Sequence, residues 1–171
     1  MPQLLFILDI YFACYATCGR HHLKETSSQS LLYAHDSLLQ LHAYSDSTWV
    51  SDPIDRCSIT RYCILLGSSI AWKSKKQAAV SHSSTEAELR ALATTTTEIV
   101  WLRWLLANLG ISCDAATPLL CDNRGAIQIA NDPVKHELTK HIDVDVFFTR
   151  SHCHQKTISL KHKLGRSIGF T

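Results

Sequence analysis

At Ser83 the hydrophobic period of the chain changes, and that change limits the folds open to it. Before it, Leu39, Leu41 and Ala43 alternate with polar residues up to Tyr44-Ser45-Asp46, the pattern of a strand that delivers an aspartate at its tip. The turn residues SDPIDR follow. Then SITRYCILL and SIAWKS, split by Gly67-Ser68, read as a hairpin of β-branched and aromatic residues, so three strands in a row form an antiparallel meander. After Ser83, Leu89, Leu92, Ile99, Leu102, Leu106 and Leu109 recur at helical steps and share one face of a helix that closes at Gly110. The run Thr94 to Thr97 lowers intrinsic helix propensity, so packing against a sheet must hold this helix. TPLLCD is a short strand ending on a second aspartate, NRGAIQIAND a helix stopped before Pro133, TKHIDVDVFFTR another helix, and KTISLKH a last strand. The order β-β-β-α-β-α-α-β predicts an α/β fold: a mixed five-stranded sheet with helices packed on it, its fourth strand entering through a helical crossover.

A chain of 171 residues, 46% hydrophobic, suits one domain with a real core. The net charge of +2 decides nothing, but ten histidines leave room for local basic patches that suit a polyanion. Seven cysteines, an odd number scattered along the chain, do not form the framework of a small secreted protein and point to a reduced, intracellular chain in cytoplasm or nucleus. The opening MPQLLFILDIYFACYATC lacks a basic start, is interrupted by Asp9, and is shorter than the ~20 residues that span a bilayer. It is expected to be neither a signal peptide nor a membrane span. The polar stretch GRHHLKETSSQS reads as a linker, which divides the chain into an N-terminal segment, 1–30, and a main domain, 31–171.

Two strands end in aspartates, Asp46 and Asp122, and the long helix carries Glu86 and Glu88 in its first turns. Carboxylates gathered where strand ends meet a helix start have one common use, holding hard divalent cations through oxygen. The competing reading makes each aspartate a turn or capping residue. Of the two glutamates, which point about 200° apart, at most one can face the strand ends. Glu86 forms a capping box with Ser83, and Glu88 stands near the buried stripe; Thr85 to Glu88 fits the same box spacing, so the residues alone leave both assignments open.

Taken together, YSDSTW, SITRYCILLGSSIAWKSKKQAAVSHSSTEAELRAL, EIVWLRWLLANLGI, LLCDNRGAIQIANDPVKHELTKHIDVDVFFTR and ISLKH resemble, in order and spacing, the ribonuclease H domain that ends copia-type LTR retrotransposon polyproteins. The match runs from about His42 to His162. HHLK and LLY resemble a shortened remnant of the reverse-transcriptase connection that precedes that domain, which makes the reverse-transcriptase domain of the same element an expected partner. The resemblance implies a ribonuclease H-like fold and Mg²⁺-dependent hydrolysis of the RNA strand of an RNA–DNA hybrid. It implies two ions, roughly 4 Å apart, with Mn²⁺ able to substitute. By the family pattern, Asp46, Glu88 and Asp122 are the catalytic residues and metal ligands, and that pattern favours Glu88 over Glu86. Arg61, Lys73, Lys75 and Lys76, with His136, Lys140 and His141 downstream, are candidates for phosphate contacts, and Asn123 for a 2′-hydroxyl. Trp72, Trp101 and Trp104 are expected in the core.

Several positions depart from the family. Its fourth carboxylate follows the last strand, on a helix that this sequence does not carry, so the resemblance implies a C-terminally truncated domain with its last helix missing and its activity impaired. Thr48 stands where the family has aspartate, and Arg61 where it has glycine. The alternative is a catalytically inactive remnant that binds RNA or hybrid. A zinc site from Cys14, Cys18, His21 and His22, or from His152, Cys153 and His154, lacks finger spacing, and no G-x-S-x-G elbow supports a serine hydrolase.

Overall fold

A computed structural model describes residues 40–51, 54–67, 69–132 and 142–163. The elements are β1 (Leu41–Thr48), β2 (Ile59–Leu66), β3 (Ser69–Lys76), α1 (Ser84–Asn108), β4 (Thr117–Cys121), α2 (Arg124–Asn131), α3 (Asp143–His154) and β5 (Ile158–His162). The expected order is met. The sheet runs β3-β2-β1-β4-β5, with β1–β2 and β2–β3 antiparallel and β1–β4 and β4–β5 parallel. Connections without a helix permit the antiparallel pairs, whereas the 25-residue α1 forces a crossover that brings β4 in parallel beside β1.

Helix α1 starts and stops for local reasons. The Ser83 hydroxyl accepts the Glu86 N–H at 3.1 Å, and the Glu86 carboxylate accepts the His82 N–H at 2.8 Å, so two amides at the helix start are satisfied together. At the far end Gly110 has φ +78°, a left-handed conformation that leaves the Ile111 N–H to bond the Leu106 carbonyl at 2.9 Å. Between them the threonine run is accommodated by satisfying its hydroxyls: Thr94, Thr95, Thr96 and Thr97 each donate to the carbonyl four residues back. Leu89, Leu92 and Ile99 bury against Ala43, Ile64 and Leu119 of the sheet, and Val146 and Ile158 extend the same core. Arg150 of α3 donates to the carbonyls of Ile129, Ala130 and Asp132, closing the C-terminal end of α2 and locking the two helices together.

Two expectations need correction. Trp72, Trp101 and Trp104 are 44%, 52% and 63% exposed, not core. Trp101 lies two residues from Ile99 and Trp104 two from Leu106, each about 200° round the helix from a buried neighbour, and Trp72 sits on the edge strand β3. Nor does β1 end at Asp46: it continues to Thr48, with Asp46 opposite Arg61 and Ser47 opposite Thr60. The boundary near residue 30, the Cys14, Cys18, His21 and His22 group, the residues His136, Lys140 and His141, and the end of the chain after 163 lie outside the described residues. Among the described residues no helix is long and apolar enough to cross a membrane, and no disulfide joins two of the five described cysteines.

Candidate metal centre

Because β1 and β4 are parallel neighbours, they present the same end, and the first turns of α1 cross there. Asp46 lies in β1, Asp122 directly after β4, and Glu88 in the second turn of α1. The Ser47 N–H and hydroxyl both donate to Glu88 Oε1 at 2.8 Å, and the Cys121 thiol donates to Oε2 at 3.5 Å. Glu88 is thereby buried and fixed. One ligand atom each from Glu88, Asp122 and Cys121 lies within 4.8 Å of the others. Asp46 stands outside that trio but close enough that its charge acts on Glu88 and the charge of Asp122 acts on it.

The electrostatics follow from this crowding. Burial, and then the charge of Asp46, push the Glu88 carboxyl up to about 7 despite its bonds from Ser47. Burial and Asp122 raise Asp46 as well, against the opposing pull of Arg61 and Lys163. Burial first, then the Glu88 carboxylate, also push the Cys121 thiol up. Lys163 is lowered by burial, an effect that Asp122 and Asp46 oppose. Three desolvated or crowded carboxylates are an unfavourable arrangement by themselves, and a divalent cation would relieve it. The donor set of carboxylate oxygens suits a hard ion, with one soft sulfur beside it, and Asp122 is exposed, leaving an open side for water or phosphate.

Glu86 does different work. It caps α1 and pairs with Arg90 at 2.8 Å, away from the strand ends.

The other expected site residues are more dispersed. On β3, Lys75 is level with Thr60 and Ser47, so Lys75 and Lys76 share the acidic end of the sheet but stand two strands, about 10 Å, from β1. Lys76 forms an ion pair with Asp55, and Lys73, further back, lies 3.8 Å from Glu98. The Asn123 side chain accepts the Ala126 N–H at 3.0 Å and caps α2. A Cβ at Gly125 would meet that same Asn123 oxygen at 3.2 Å and Thr85 at 3.6 Å, so the small residue lets α2 start hard against α1 and sets the position of Asp122. Ser47, Cys121 and Lys163 were not singled out from the sequence. Ser47 and Cys121 carried a readable signal: each directly neighbours a candidate aspartate in a strand and points to the opposite face, towards α1.

No protein-family model matches the chain. It is 38% identical over 142 residues to the retrovirus-related Pol polyprotein from transposon RE1 of Arabidopsis thaliana, which covers 82% of this chain and 10% of that protein. To the corresponding polyprotein from transposon TNT 1-94 of Nicotiana tabacum it is 33% identical over 130 residues, 75% of this chain and 10% of the relative. The chain is a homologue of copia-type transposon Pol polyproteins. This Pol homologue spans about a tenth of the length of the curated relatives it matches. A crystal structure of LC11-RNase H1 in complex with RNA/DNA hybrid aligns over 72% of the Pol homologue and 85% of that chain, with 11% identity and a TM-score of 0.46.

Proposed function

We propose that this chain is the ribonuclease H segment of a retrotransposon Pol polyprotein, hydrolysing the RNA strand of an RNA–DNA hybrid. The observation that carries the reading is the closeness of Glu88 and Asp122 at one end of the sheet, with Asp46 of β1 near enough for its charge to act on Glu88 and for that of Asp122 to act on it, and with Glu88 buried. The three carboxylates would hold divalent cations, Mg²⁺ or in its place Mn²⁺. Such ions, when bound, supply an activated water and stabilise the leaving oxygen of a phosphodiester.

The chain's own groups divide the remaining work. Ser47 fixes Glu88 Oε1 through two bonds, so the carboxylate is held without searching for its position. Asp122, exposed at the strand end, faces the incoming phosphate. Lys75 and Lys76 are placed to meet phosphates further along the duplex, with Asn123, Lys73, His136, Lys140 and His141 as further contacts, and the reverse-transcriptase domain of the same element is the proposed partner. Cleavage of a labelled hybrid in Mg²⁺ tests this: Asp46→Asn, Glu88→Gln and Asp122→Asn should each lower the rate by about a thousandfold, the order expected when a central electrostatic group is removed. An Asp46→Asn protein that cuts as fast as the parent would sink the proposal. A second reading, hybrid binding without cleavage, is favoured by the Arg61 guanidinium beside Asp46. It predicts that the parent chain binds hybrid but leaves it intact.

A further inference from the structure

Thr48 and Arg61, the two sheet positions where the resemblance implies other residues, meet each other. Arg61 lies opposite Asp46 in the β1–β2 ladder, is 7% exposed, donates to the Thr48 hydroxyl, and holds its Nη1 3.8 Å from Asp46 Oδ2. A guanidinium there is fixed from two sides and carries a permanent charge. We propose that Arg61 is a built-in counter-ion for Asp46 that competes with the divalent cation, so that the site binds its ion more weakly than its carboxylates alone would allow. The inference rests on the metal-site reading given above.

The physical argument is one of charge at short range. The carboxylates repel one another in the absence of an ion, and Arg61 offsets part of that repulsion through Asp46. A cation entering beside Asp46 meets the guanidinium within a few ångströms, in a partly buried setting where like charges interact more strongly than in bulk solvent. Arg61 therefore stabilises the ion-free state and opposes the loaded one. Lys163 acts on Asp46 and Asp122 in the same sense from the other side of the site, though it is less buried and more easily displaced. Thr48 has a positioning role: its hydroxyl holds the guanidinium against the strand.

The test is direct binding of Mn²⁺ to the full chain, read from the loss of the free-ion electron paramagnetic resonance signal. Arg61→Gln, which keeps a polar side chain without the charge, should lower the Mn²⁺ Kd about tenfold, the order expected for removing one nearby like charge. Arg61→Met, an apolar substitute for the long side chain, should do the same and guards against a fault of one variant. Lys156→Gln, at the opposite end of β5, should leave Kd unchanged. With both Arg61 variants within twofold of the parent while Asp46→Asn abolishes binding, the counter-ion role is overturned and the metal site stands. Should Asp46→Asn bind Mn²⁺ as the parent does, the metal-site reading itself fails and takes this inference with it. Equal tightening in Lys156→Gln would also overturn it, since net charge would then account for the effect. A second readout is thermal: in chelator the Arg61→Gln midpoint should fall, and added Mn²⁺ should raise it by more than it raises the parent's.

Discussion

The two ends of helix α1 invert the usual distribution of side chains in opposite ways. At its start, Glu86 and Glu88 are each only 4% exposed; at its other end Trp104 and Leu109 are 63% and 68% exposed. The first inversion is stabilised by partners. The His82 N–H and Arg90 satisfy the Glu86 carboxylate, whereas Ser47 and Cys121 satisfy Glu88 while its charge remains opposed by burial and Asp46. The second is a matter of phase, because Trp101 and Trp104 fall on the face of α1 turned away from Ile99 and Leu106. At one end the buried charge of Glu86 caps the helix and that of Glu88 joins the carboxylate cluster, while the exposed tryptophans at the other mark only which face the sheet left uncovered.

That contrast can be broken at four points. Ile99→Ala, in the fully buried stripe between the two ends, should lower unfolding free energy by about 4 kcal/mol in denaturant titrations, the usual cost of a large-to-small change in a packed core. Glu88→Gln should move in the other direction. The folded chain keeps the Glu88 proton up to about pH 7, against 4.5 for an ordinary glutamate, so its contribution to stability is full below about 4.5 and is lost as pH rises through about 7. Thermal melts in chelator should therefore fall from pH 5 to pH 8, by about 3 kcal/mol from this group, and Glu88→Gln should abolish that component and raise the midpoint at pH 8. A flat parent profile would mean that Glu88 is not the strained group. Ser83→Ala should cost about 1 kcal/mol through the lost cap, with no change in the pH profile. Trp104→Ser should change stability by less than about 0.5 kcal/mol. A loss as large as that of Ile99→Ala would place that tryptophan in a core.

Much of this was legible in the sequence because period and punctuation agreed. The alternation before Asp46, the 3.6-residue recurrence after Ser83 and the glycine at 110 place the first strand and the long helix, and helical spacing separates Glu86 from Glu88 once the strand ends are known. The tryptophans misled because large aromatic residues suggest burial, while their positions relative to Ile99 and Leu106 put them outside; phase outweighed residue type. Arg61 was visible only as an odd residue. Its meeting with Thr48 and Asp46 depends on the register of β1 against β2, which no pattern within either strand fixes. The contribution of Lys163 likewise needed the parallel β4–β5 pairing.

The parallel crossover also sets when the acidic end can exist. Ser47 and Glu88 are 41 residues apart, and Glu88 and Cys121 a further 33, so each contact closes a long loop. The β1–β2–β3 meander can form from neighbouring residues, but the carboxylates cannot meet until β4 has left the ribosome and docked beside β1. During synthesis, the cluster is assembled among the last features of the sheet, and any ion that binds only the finished cluster would draw the late steps of folding forward.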